Sequence, residues 1–212
     1  TNTNNVMSFN DDILISRNDI QAKNIKTSYI NNNTWNQLGS DIDGESSGDK
    51  SSYSIDMSAN GKIIVIGAPE NTAGGTEAGH TRIYEFNETT LEWTQKGSDI
   101  DGGVGDHSGY NISISGDGNS VCIGARYSPG SIKIYKWNVS DWEQKGNTIT
   151  GQDSSFFGYS NDISYNGDTF VVGASLHDDD TTNPSQDDIG LIQIYDYNYG
   201  TSDWVQRGDD IH

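Results

Sequence analysis

The 212 residues predict an all-β chain folded as a β-propeller of four-stranded antiparallel blades, and three observations carry that prediction. Isoleucine outnumbers leucine 23 to 5, and β-branched side chains pack on pleated sheets more readily than in helices. The motif Trp-x-Gln-x-Gly recurs four times, beginning at Trp35, Trp93, Trp142 and Trp204. Successive copies are 58, 49 and 62 residues apart, a period that suits propeller blades.

Each interval repeats one order of elements. After the tryptophan comes an alternating segment, Tyr53 to Met57, Tyr110 to Ile114 or Tyr159 to Ile163, whose period of two is that of a strand. A polar turn follows, with Asn60-Gly61, Asp117-Gly118 or Asn166-Gly167 supplying the positive φ of a tight hairpin. The next strand is the apolar run Ile63 to Ile66, Val121 to Gly124 or Phe170 to Gly173. Beyond a variable loop lies a further strand at Arg82-Ile83-Tyr84, Lys133-Ile134-Tyr135 or Gln193-Ile194-Tyr195. With the tryptophan segment, that makes four strands per unit.

The ends of the chain fit the same pattern. Met7-Ser8-Phe9-Asn10 then Ile13-Leu14-Ile15 matches Met57-Ser58-Ala59-Asn60 then Ile63-Ile64-Val65. Residues 1–212 therefore read as one domain of four blades: a partial blade 1–34 completed by 204–212, then blades at about 35–92, 93–141 and 142–203. Completion within one chain closes a ring, while exchange between chains builds a homo-oligomer or a filament; both remain open.

Composition narrows the function. Twelve basic against 31 acidic residues give a formal charge of −19, which argues against nucleic acid as a partner. No apolar run is long enough for a transmembrane helix, so membrane insertion is not expected. The single cysteine, Cys122, sits in an apolar run and reads as a small buried hydrophobe.

Phe157-Gly158-Tyr159 followed by Gly173-Ala174-Ser175 resembles the Phe-Gly and Gly-Ala-Pro signature of FG-GAP repeats, and Gly67-Ala68-Pro69 reproduces its second half. The resemblance weakens at Ser52-Tyr53 and Gly109-Tyr110, and at Gly124-Ala125-Arg126, where arginine replaces proline. It implies a non-enzymatic, extracellular or cell-surface module with a structural or adhesive role, its partners a protein or glycan at the cell surface. The family's calcium loop has no counterpart between the two halves, where short hairpins stand instead.

Candidate sites are few. Asp41 and Asp43, and Asp99 and Asp101, stand before glycines in loops that could supply oxygen ligands to calcium, the one cofactor the chain suggests. The third copy reads Thr148-Ile149-Thr150-Gly151, so a shared calcium loop is not supported and solvated turns are expected. Asn32, Asn87 and Asn138 are glycosylation candidates in equivalent turns, with Asn111 a poorer one inside a strand. Trp35, Trp93, Trp142 and Trp204 are expected to pack between blades. The four histidines fall at unrelated repeat positions, so no catalytic triad is expected. A lectin-like module using loop aromatics such as Tyr127 or Tyr199 is the alternative, and a glycoside-acting hydrolase the third reading.

Overall fold

The structure is a computed structural model that describes residues 36–127, 129–152, 155–177 and 189–212, with the backbone of two short strands near the N-terminus. The chain forms two units. In Thr1–Gln37, β1 (Met7–Phe9) and β2 (Ile13–Ile15) pair antiparallel, with Met7 opposite Ile15. Leu38–His212 holds three antiparallel sheets, and no helix occurs among the described residues.

In the first sheet β3 (Ser54–Met57), β4 (Ile63–Ala68), β5 (His80–Asn87) and β6 (Glu92–Gln95) lie side by side in chain order, and β7 (Ile100–Asp101) adds to β5. The second repeats this with β8 (Ser108–Ile114), β9 (Ser120–Ala125), β10 (Ser131–Trp137) and β11 (Trp142–Gln144), and β12 (Ile149–Thr150) on β10. The third is β13 (Phe157–Ile163), β14 (Thr169–Ala174), β15 (Leu191–Asn198) and β16 (Asp203–Gln206). The expected hairpins are present. Gly61, Gly118 and Gly167 have φ of 68°, 75° and 70°. Before each, Asn60, Asp117 or Asn166 accepts the hydroxyl of the serine two residues earlier, at 2.8, 2.5 and 2.9 Å.

One boundary differs from the sequence expectation. Each tryptophan segment is the fourth strand of the sheet before it: Trp93 lies opposite Phe86, Trp142 opposite Trp137 and Trp204 opposite Tyr197. The sheets are thus offset by one strand from units that begin at tryptophan. β16 pairs with β15 and Ile211 bridges Ile192 of the same strand, while most of 1–34, with which 204–212 is expected to complete a blade, lies outside the described residues. A short hairpin to the preceding strand closes less chain than a return to a distant one.

Sheet faces meet in two apolar clusters. Ile63, Val65, Ile83 and Ile100 pack with Ile112, Ile114, Val121 and Ile123, while Cys122, Ile132 and Ile134 pack with Phe157, Phe170, Val172 and Trp204. Val121 and Ile123 thus face one neighbour and Cys122 the other, as alternation along a strand requires. Burial pushes the Cys122 thiol far up, leaving it inert.

The Trp-x-Gln-x-Gly motif ties each sheet to the preceding copy of the motif, which joins the second sheet to the first and the third to the second. The indole N–H of Trp93 donates to the Leu38 carbonyl at 2.8 Å, Trp142 to Lys96 at 2.7 Å and Trp204 to Lys145 at 2.7 Å. Each acceptor immediately precedes the glycine of the previous motif, which has a φ of 77°, 81° or 74°. A Cβ on Gly39, Gly97 or Gly146 would meet the indole Cδ1 at 2.9, 2.8 or 2.6 Å, so glycine is required by shape as well as backbone angle. The acid before each tryptophan completes the contact. Asp141 accepts the Ser98 N–H at 2.8 Å and Asp203 the Asn147 N–H at 2.9 Å, and these backbone bonds hold both carboxyls below the usual range.

Trp142 and Trp204 are buried whereas Trp93 is half-buried, and Trp35 lies outside the described residues. Trp204→Ala and Trp142→Ala should each lower unfolding free energy by about 3 to 5 kcal/mol in denaturant titrations, with a smaller loss for Trp93→Ala. A loss under about 0.5 kcal/mol at both buried positions would remove the packing role.

Candidate functional site

Three tyrosines are brought together by a repeated backbone device. Lys50 and Ser52, His107 and Gly109, and Phe156 and Gly158 all have positive φ, and each pair is followed by a tyrosine: Tyr53, Tyr110 or Tyr159. In the second and third sheets this is a β-bulge, the register slipping between Ser108 and Asn111 and between Phe157 and Ser160. A bulge leaves a residue out of the ladder and re-aims its side chain. The glycines also allow close approach, since a Cβ on Gly109 would lie 2.6 Å from the His80 carbonyl and one on Gly158 2.7 Å from that of Ser131. The tyrosine rings consequently stand in a row, with centroids 4.8 Å apart for Tyr53 and Tyr110 and 5.4 Å for Tyr110 and Tyr159.

Arg126, just beyond β9, completes the group. Its Nη1 donates to the Tyr110 hydroxyl oxygen at 2.8 Å, and its guanidinium lies 4.4 Å from the Tyr110 ring centroid and 5.8 Å from that of Phe156. The Tyr53 hydroxyl donates to the same oxygen at 2.7 Å. Partial burial raises the Tyr110 phenol, but hydrogen bonds from Tyr53, Arg126 and Tyr159 and the guanidinium charge outweigh it, and the net shift is downward. Tyr53 and Tyr159 move up, chiefly because each is hydrogen-bonded to Tyr110.

Arg126 has an unusual electrostatic position. Lys50, Lys62, Arg82, Lys96, Lys133, Lys145 and Arg207 each pair with a carboxylate. Among the described residues no carboxylate lies within ion-pair distance of Arg126; aromatic faces and a phenol hold it instead. The repeat makes the substitution visible, because Arg126 stands where the other sheets carry Pro69 and Ser175. Sequence reading registered it only as a missing proline.

A second group lies on the first sheet, where Glu45, His80 and Asp99 bring one ligand atom each within 4.8 Å of one another. Of the four aspartates in the candidate calcium loops, Asp99 alone belongs to it. Asp43 is exposed and its carbonyl accepts Arg82 Nη2 at 3.4 Å, Asp101 is in β7, and Asp41 is exposed in its turn. The signal for Glu45 and His80 was absent from the repeat, since neither has an ionisable counterpart in the other copies.

The remaining candidates take ordinary places. Asn87 and Asn138 are exposed and accept backbone N–H groups of their own turns, Thr89 at 2.9 Å and Ser140 at 3.0 Å. Asn111 accepts the Asn161 N–H at 2.9 Å across two sheets, while Asn32 lies outside the described residues. Tyr127 stacks on His107, and the exposed Tyr199 donates to Asp168 at 2.7 Å.

No family model matches the chain, and no curated protein does. Among solved structures it resembles a candidate 6-phosphogluconolactonase of Bacteroides fragilis (TM-score 0.48, 17% identity, 74% of this chain and 38% of that one). A counterpart from Bacteroides uniformis gives 0.47, 18%, 74% and 39%. Saccharomyces cerevisiae Sqt1 gives 0.48, 12%, 74% and 35%. The chain spans less than two thirds of each. Its all-β, propeller-like fold agrees with the expected class, whereas the FG-GAP family is not shown. The expectation of a non-enzymatic structural or adhesive module is overturned. Two of these neighbours are named as candidate 6-phosphogluconolactonases, and a propeller-like fold by itself implies neither adhesion nor lack of catalysis.

The phenols make stability depend on alkaline pH. Burial raises Tyr84, Tyr135 and Tyr195 above the ordinary value near 10, so what they contribute is present below it and lost as pH rises through their folded values. Tyr110 has the opposite sign, its contribution lost as pH falls through its lowered value. With Tyr53, Tyr159 and Tyr199 raised as well, six raised phenols against one lowered predict a melting temperature that declines above about pH 10. Ultraviolet titration should show one tyrosine ionising early, absent in Tyr110→Phe; a variant with an unchanged curve would show that Tyr110 is not that group.

Proposed function

We propose that the chain is a ligand-binding propeller domain whose site is the row Tyr53, Tyr110, Tyr159 with Arg126, and that it takes a small molecule bearing an oxyanion, a carboxylate or a phosphate. The observation that carries this is the arginine held by one phenol and two aromatic faces, in a chain of net charge −19. Donors outnumber acceptors at the cluster. Two phenol hydroxyls and a guanidinium converge on the one oxygen of Tyr110, and an oxyanion would offer acceptor lone pairs to the further N–H groups of the guanidinium, which has no acceptor of its own. Carboxylates do not figure among the groups that shift the three phenols, so an anion would meet no like charge there.

The four copies of the tryptophan motif fit four blades of one propeller, with the tyrosine row at the first strands of three of them.

The test is a titration with inorganic phosphate and with acetate, followed by tyrosine and arginine side-chain NMR. Binding should weaken at least about tenfold in Arg126→Met. It should also weaken as pH rises through the Tyr110 ionisation, because a phenolate repels the anion. Equal binding by wild type and Arg126→Met, or no response to either probe, would sink the proposal.

A further inference from the structure

We infer that Glu45, His80 and Asp99 form a binding site for one divalent transition-metal ion of the zinc class. His80, on β5, is 1% exposed, and its Nδ1 is buried without a hydrogen-bond partner. A buried imidazole nitrogen left unsatisfied is costly and calls for a partner. Facing it are Glu45 Oε2 at 3.6 Å and Asp99 Oδ2 at 3.9 Å, both too far for a hydrogen bond. Three ligand atoms each about 2.0 to 2.2 Å from a tetrahedral zinc ion lie roughly 3.3 to 3.6 Å from one another, so a small contraction would close the set.

The carboxylates are oriented for this task. Arg82 Nη1 lies 3.6 Å from Glu45 Oε1, and Gln95 donates to Asp99 Oδ1 at 2.6 Å. Each carboxylate thus has one oxygen tethered and the other turned toward His80, which is how outer partners orient metal ligands. Asn71 Nδ2 also reaches Glu45 Oε2, at 3.3 Å. With the Arg82 charge included, the two carboxylates leave a net negative site. One imidazole nitrogen with two carboxylates suits zinc better than calcium, whose ligands are all oxygen. The exposed side of Glu45 leaves a coordination position open to water.

The repeat supplies an internal control. The places of Glu45, His80 and Asp99 are held by Gly103, Ser131 and Thr148 in the next copy, and by Gln152, Leu191 and Asp210 in the third. The β5, β10 and β15 register is the same in all three, with Ala68 opposite His80, Ala125 opposite Ser131 and Ala174 opposite Leu191. The fold therefore accepts a hydroxyl or an aliphatic side chain there, and only the first sheet combines three ligands.

Zinc alone is titrated into the intact chain by calorimetry, and cobalt(II) by visible absorption. The variants are His80→Ser, which copies the second sheet, and Glu45→Gln at an exposed position where folding is not at stake. One zinc per chain, bound at least about tenfold more weakly by both variants, with the intense cobalt spectrum of a tetrahedral site lost in His80→Ser, is the expected result. No zinc bound by wild type, or undiminished binding in either variant, overturns the site. Preference for calcium over zinc overturns the class of ion.

Discussion

The indole N–H of one sheet bonded to a carbonyl of the preceding sheet is the contact on which the rest of this structure depends. It is a local bond, worth about 1 kcal/mol net, but it fixes where two sheet faces meet. The acceptor carbonyl is presented only because the next residue is a glycine in the left-handed region, and the indole fits only because that glycine lacks a Cβ. The glutamine between them ties the same turn from the other side: Gln95 donates to the Gly97 carbonyl at 3.2 Å and Gln144 to that of Gly146 at 3.1 Å. All three named residues of the motif thus serve one junction, and that accounts for their recurrence together while the loops between them vary.

Once sheet faces are fixed, the first strands must come close, and the site follows from how closely. Ser54 Oγ donates to the Gly109 carbonyl at 2.8 Å and Asp56 accepts the Ile114 N–H at 2.8 Å. Asn161 donates its N–H to Asn111 across the next pair. These polar bonds replace ladder pairing where strands of different sheets approach, and the bulges at Gly109 and Gly158 make room for them. The tyrosine row is a consequence of that geometry.

Much of the fold was legible because it repeats. Strand order, hairpin turns and the packing tryptophans were all readable from four copies of one pattern. The strand to which each tryptophan belongs was not, since a strand between two sheets can pair with either neighbour and periodicity is silent on which. The sites were hidden for a complementary reason. Arg126 and His80 are departures from the repeat, and one departure among many variable positions carries no label until the fold shows what surrounds it. Asp99 was noticed for its acidic neighbours, yet its partners are a histidine 19 positions earlier and a glutamate 54 positions earlier, brought together by β5 and the turns at its end.

Charge explains why these departures are informative. In a chain with 31 acids, a cation that reaches a carboxylate lowers the self-repulsion of the fold, and most described lysines and arginines do so. Even the buried Lys145 follows this rule, its Nζ meeting Asp168 at 2.7 Å and the Gly167 carbonyl at 2.6 Å beside the Trp204 ring. Arg126 forgoes that stabilisation, and aromatic faces return only part of it. Around Glu45 and Asp99 the imbalance runs the other way, because Arg82 offsets one of two carboxylates that converge on a buried imidazole. Each place is thus left with charge of one sign to satisfy, positive at Arg126 and negative at Glu45 and Asp99, and an anion at the first and a cation at the second are the ligands that do so.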